Sequence, residues 1–221
     1  MRTQTKDIQQ HLTPPLAYEI LQEGNKRFVS NLRFNRNLLQ QVNETSDGQH
    51  PFAIVLSCID SRTSAELIFD QGLGDIFSAR IAGNVLNEDI LGSMEFACKV
   101  AGAKLIVVLG HSRCGAIKGA CDHVEMGHLT GLLNKIAPAI ETLKQRESNA
   151  AVTEEYVEQV ASENMRHQLH AVLKRSAILN QLFEDDQIGI VGGMYAVESG
   201  SVEFTEELFR HGNPPMRAKV A

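Results

Sequence analysis

The sequence predicts an α/β fold in which a parallel-centred β-sheet is flanked by helices and preceded by an N-terminal helical arm. Three observations carry this. Phe52-Ala53-Ile54-Val55-Leu56 and Lys104-Leu105-Ile106-Val107-Val108-Leu109 are short, nearly continuous apolar runs rich in β-branched residues, as parallel strands covered on both faces require. Weaker strand patterns at 75–80 and 187–191 lie among helical patterns at about 88–101, 115–123, 128–147 and 154–183, and this alternation is that of helices packed around a parallel sheet. Between Pro14 and Leu32, apolar residues recur at Leu16, Ile20, Leu21, Phe28, Val29 and Leu32, a helical stripe that Pro14-Pro15 is suited to start.

The polar, Gly- and Asn-marked stretch that follows, up to His50, reads as a connection. Residues 1–50 are therefore expected to form the arm and connection, and 51–221 the catalytic core. The apolar stripe of 14–32 has no evident place in a core that begins near residue 51, so it is expected to hold a second subunit. With 43% hydrophobic and 22% charged residues, the composition is that of a globular chain and excludes a disordered one. A net charge of −6 without a run of Lys or Arg argues against nucleic acid or an anionic membrane surface as partner. The amino-terminal stretch lacks a secretory apolar run, and no segment approaches the ~18 apolar residues a membrane span needs, so a cytoplasmic location is expected. Four cysteines, Cys58, Cys98, Cys114 and Cys121, are too few for a disulfide framework and favour thiol or metal chemistry in a reducing compartment.

Both strong strands end in polar clusters where a helix pattern takes over: Ser57-Cys58-Ile59-Asp60-Ser61-Arg62 and Gly110-His111-Ser112-Arg113-Cys114-Gly115. Ligand sites of open α/β sheets gather at the carboxyl ends of strands, so Cys58, His111 and Cys114 can converge in one crevice. Two thiolates and an imidazole suit tetrahedral zinc, and three protein ligands leave a fourth position for water or substrate. A local alternative, His111 with Cys114, Cys121 and His123, fails on geometry. A helix from Gly115 to Cys121 advances about 10 Å, too far for both sulfurs to sit within ~2.3 Å of one zinc. Cys98 and Cys121 read as packing, and His167 and His170 as a solvated helix face. Asp60 lies close enough to Cys58 to ligate the metal or to accept a hydrogen bond from its water, and Arg62 can hold that carboxylate by a bidentate pair.

These residues resemble the paired signatures of the β-class carbonic anhydrases, Cys-x-Asp-x-Arg and His-x-x-Cys-Gly. The similarity runs from Gln49 to about Phe204, through Gly48-Gln49-His50-Pro51, Arg80-Ile81-Ala82-Gly83-Asn84 and the segment Gly189 to Tyr195. The resemblance implies Cys58, His111 and Cys114 as zinc ligands, with Asp60 and Arg62 as a catalytic dyad. It implies Gln49 as a hydrogen-bond donor from across a dimer interface, Phe77 and Phe96 as walls of an apolar pocket, and a homo-oligomer, dimer or dimer of dimers. Some bacterial members carry a Trp three positions before the first Cys, which with an Arg and a Tyr forms an inhibitory bicarbonate pocket. Here Val55 stands in its place, beside matching Arg80 and Tyr195.

The function expected is zinc-dependent, reversible hydration of carbon dioxide to bicarbonate and a proton. Zinc makes bound water ionise near neutral pH, Asp60 kept ionised by Arg62 accepts its proton, and Gln49 with backbone N–H groups near Gly115 steadies the bicarbonate oxygens. The nearest alternative is the same site acting on carbon disulfide or carbonyl sulfide. A non-catalytic zinc scaffold would have no need of Asp60 and Arg62.

Overall fold

A computed structural model describes residues 3–146 and 151–210. One five-stranded sheet runs through it, in the order β2-β1-β3-β4-β5, with β1 at Ala53–Ser57, β2 at Ile76–Arg80, β3 at Leu105–His111, β4 at Gly189–Tyr195 and β5 at Val202–Leu208. The first four strands are parallel and β5 pairs antiparallel with β4, which makes the sheet parallel-centred.

Side chains alternate across a strand, so each apolar run feeds two cores. Ile54, Leu56, Ile106, Val108 and Ile190 face Leu91 and Met94 of α5 (Glu88–Glu95), Met165, Leu169 and Val172 of α9 (Glu154–Arg175), and Leu179 and Leu182 of α10 (Ala177–Glu184). Ala53, Val55, Leu105, Val107 and Leu109 point the other way, into a layer with Ile68 of α4 (Ala65–Ile68), Phe69, and Ala17, Tyr18 and Leu21 of α2 (Pro14–Val29).

The last contact corrects an expectation. Part of the α2 stripe lies in this chain's own core: Leu21 is fully buried beside Ala17, while Leu16, Val29 and Leu32 are exposed. Thr13 caps α2 by accepting from the Leu16 N–H, with prolines in its first two positions. Gly24 lets the helix lie directly on the end of α4, since a Cβ there would meet the Phe69 carbonyl oxygen at 1.8 Å. Asn25 then ties α2 to two loops, donating to the carbonyls of Ile68 and Gly200 at 3.1 and 2.9 Å and accepting the Val202 N–H at 2.9 Å. Core residues therefore start well before 51.

Two predicted helices are each two. The pattern at 128–147 splits into α7 (Gly127–Leu133) and α8 (Ala137–Arg146), whose second residue is Pro138, a residue that opens helices and cannot continue one. The pattern at 154–183 breaks at Ser176, which leaves the helical region and caps α10 through the Leu179 N–H. Two short helices, α1 (Lys6–His11) and α3 (Leu38–Glu44), and strand β5 were not anticipated. The remaining helix, α6 (Gly115–Cys121), follows β3 and carries the second cluster at its start.

Candidate metal centre

β1 and β3 are neighbours, with Leu56 beside Val108, so their carboxyl ends lie together. Cys58 follows the last residue of β1, and His111 is the last residue of β3. After His111 the chain turns through Arg113, at φ 54, to bring Cys114 back as the residue that caps α6. The three ligand atoms lie within 4.8 Å of one another and all three residues are buried, the one such group among the described residues.

The donor chemistry fits a metal. His111 Nδ1 lies 2.8 Å from the Ser112 carbonyl oxygen, which can only accept, so Nδ1 carries a proton and Nε2 is the nitrogen left to bind a metal. That Nε2 is buried without a hydrogen-bond partner, a cost the fold bears unless something binds it. Cys58 and Cys114 lie close enough that they do not ionise independently: the neighbouring Cys114 thiol lowers Cys58, and Cys58 in turn raises Cys114. Two sulfurs that cannot comfortably both ionise, beside an imidazole nitrogen, form a site that a divalent cation relieves.

Asp60 stands beside this group and outside it. Its Oδ1 accepts from Arg62 Nε at 2.9 Å and its Oδ2 from a terminal Arg62 nitrogen at 2.8 Å. These bonds hold its carboxyl well below the ordinary carboxylate range, with a smaller contribution from His111. The turn that presents Cys58 and Asp60 is braced from two sides. Thr63, buried, donates to the carbonyls of Cys58 and Asp60 at 3.0 and 2.9 Å, and Arg80 donates to the same two at 3.0 and 2.6 Å. Neither brace was anticipated. Thr63 is one more hydroxyl in a polar cluster, and Arg80 stood out only as a match to one position of the inhibitory pocket that Val55 leaves incomplete.

Other candidates lie elsewhere. Gly115 opens α6 and, with Cys114, lines a cavity of about 540 Å³ together with Arg113, Lys118 and Glu158. Phe77 and Phe96, rings 6.3 Å apart, line a separate cavity at the β2 edge of the sheet that none of the three ligands borders. Gln49 is exposed before the amino end of β1, at the opposite end of that strand from Cys58. Cys98 and Cys121 are buried thiols pushed up by that burial, to about 12 and about 11. His167 bonds to Thr142 at 3.0 Å and lies 3.5 Å from Glu163.

The model of the carbonic anhydrase family matches residues 53–202, which contain both clusters. Over 201 residues the chain is 36% identical to a carbonic anhydrase of Mycolicibacterium smegmatis, covering 88% of this chain and 95% of that protein. The β-carbonic anhydrase CafA of Aspergillus fumigatus superposes with a TM-score of 0.68 at 25% identity, over 86% of this chain and 90% of that one. One of two tetrameric β-carbonic anhydrases of Sordaria macrospora shares the fold at a TM-score of 0.67 and 22% identity, over 72% and 82%. No described helix is long and apolar enough to cross a membrane. With the Cys-His-Cys group at adjacent strand ends and this similarity along most of its length, the chain belongs to the β-class carbonic anhydrases, enzymes that hydrate carbon dioxide.

Proposed function

We propose that this chain hydrates carbon dioxide reversibly to bicarbonate and a proton, with zinc held by Cys58, His111 and Cys114. The observation that carries the reading is the buried, unpartnered His111 Nε2 grouped within 4.8 Å of two buried cysteine sulfurs. Zinc bound there supplies a Lewis acid that makes water ionise near neutral pH. The residues do the rest. Asp60, ionised and clamped by Arg62, stays off the metal and offers an acceptor for the proton of the reacting water. Gly115, at the start of α6 and bordering the cavity beside Cys114, is placed to meet the bicarbonate oxygens.

Gln49, Phe77 and Phe96 lie away from their own chain's centre, so they serve the centre of a second copy, within a dimer or dimer of dimers. Leu32, Leu38, Leu39 and Val42 add exposed apolar surface to the same N-terminal region as Gln49, which supports such an assembly. Four free cysteines suit the reducing cytoplasm.

Metal content and carbon dioxide hydration measured on the purified chain test the reading, with carbon disulfide and carbonyl sulfide assayed beside it. Hydration together with about one zinc per chain supports it. Turnover of only the sulfur-containing gases, or activity undiminished after complete metal removal, overturns it.

A further inference from the structure

The Gly83 N–H points at Cys58 Sγ from 3.4 Å. It belongs to a turn closed by the Asn84 N–H on the Ile81 carbonyl at 2.9 Å, in which Gly83 takes φ 67 and ψ 18, the left-handed conformation that the third position of a type II turn requires. The Gly83 carbonyl accepts from Asn164 Nδ2 at 2.9 Å, and Asn164 is fully buried on α9. One helical turn on, buried Gln168 donates from Nε2 to Asn164 Oδ1 at 3.0 Å and accepts the Leu86 N–H at 2.9 Å.

This chain of bonds has one possible sense. The Leu86 N–H can only donate and the Gly83 carbonyl can only accept, so neither amide can be flipped without losing a bond at an end. The two amides also sit in apolar company, since Met165, Leu169 and Val172 of the same helix are all fully buried core residues. Burying polar amides there is costly unless each bond is made, and apolar side chains would pack the helix without that risk.

We infer that Asn164 and Gln168 are positioning residues, a buried amide clamp that keeps the Gly83 N–H aimed at the Cys58 sulfur and so limits the charge this sulfur gives to a bound metal. The inference rests on Cys58, His111 and Cys114 being the metal centre. An N–H donated to a thiolate draws on the lone-pair density that would otherwise reach the metal. Outer partners of metal ligands commonly change affinity or activity about 10- to 100-fold when removed.

Cobalt(II) loaded into the full-length chain tests this, because the energy of its sulfur-to-metal charge-transfer absorption reports thiolate donation. Asn164→Leu is expected to move that absorption to longer wavelength, with cobalt affinity by chelator competition changed about tenfold or more. Gln168→Met, of nearly the same length, removes both the donor to Asn164 Oδ1 and the acceptor for the Leu86 N–H, and is expected to shift the band in the same direction. Leu169→Ala, a cavity on the same helix, is expected to leave it in place. An unmoved band in Asn164→Leu, or an equal shift in Leu169→Ala, overturns the clamp, and if Asn164→Leu does not fold, Gln168→Met decides by the same criterion. A wild-type chain without any sulfur-to-cobalt absorption instead overturns the metal centre, and the clamp with it.

Discussion

Arg62 occupies both carboxylate oxygens of Asp60 at once, at 2.9 and 2.8 Å, and its own backbone N–H adds a third bond at 3.0 Å. The carboxylate therefore stays ionised across the working range of pH, yet is tethered away from the three ligand atoms.

Removing the tether separates these two effects. Arg62→Ala is expected to keep its metal and to lose about a hundredfold in hydration rate, because the freed carboxylate can take the fourth metal position. Asp60→Ala loses activity without that blockage. Zinc content and hydration rates of both variants check this; full zinc with wild-type rates in Arg62→Ala would reduce the pair to a surface contact.

The four cysteines divide sharply. Cys58→Ala, His111→Ala and Cys114→Ala should each lose tight metal binding, since two ligands cannot replace three. Cys98→Ala and Cys121→Ala should retain full metal, because burial keeps both thiols protonated at neutral pH, at about 12 and about 11. Metal analysis after dialysis against a chelator distinguishes the two groups.

Asp70 anchors the chain that leaves α2. Burial alone would raise its carboxyl, but Arg27 at 2.6 Å, Arg36 and the Phe34 N–H at 3.3 Å outweigh it and bring it below the usual range. A depressed folded-state value means the stabilisation is complete above the ordinary carboxylate range and is lost as pH falls through the depressed value. Asp70→Asn, which takes the carboxylate from two arginines, should cost about 3 kcal/mol, and the deficit should shrink in acid. Urea denaturation at neutral pH and near pH ~3 checks both statements.

Leu21→Ala should destabilise the chain by about 2–5 kcal/mol, the cost of a cavity at a fully buried leucine. The loss should not depend on protein concentration, because Leu21 packs in its own subunit's core. Denaturation at two well-separated concentrations tests this, and a concentration-dependent deficit would return the α2 stripe to a subunit interface.

Bicarbonate should inhibit only as a product. Val55 is wholly buried in the layer beneath α2, and Arg80 is engaged with the carbonyls of Cys58 and Asp60, so neither offers the donors an inhibitory pocket needs. Activity against bicarbonate at fixed pH checks this; a sigmoidal loss would show that a regulatory pocket exists in another form.

The strand cores and both polar clusters were legible because parallel strands buried on both faces must be apolar throughout, so the first polar residue marks the strand end. The three-donor group followed from that placement. Less of the periphery was legible. β5 alternates Val202, Phe204 and Leu208 with acidic residues, a one-faced edge strand that is hard to tell from loop. Ser176 breaks a helix where the apolar period continues on both sides, so only its capping bond reveals the stop. That Leu21 of the α2 stripe has a place in the core was not legible, because sequence distance from residue 51 says nothing about a helix that folds back over the sheet. Asn164 and Gln168 were invisible for a related reason, since two amides on a helix read as solvated until the structure shows them buried.

All seven residues of β3 are buried, and His111, the last of them, is paired with Tyr195 of β4. Its backbone belongs to the part of a protein that opens last, so its amides should exchange with solvent only when the whole domain unfolds. A ligand mounted there has almost no local freedom to swing away. Slow metal exchange would then follow the clock of global unfolding, and a chelator's progress would measure how often the entire sheet comes apart.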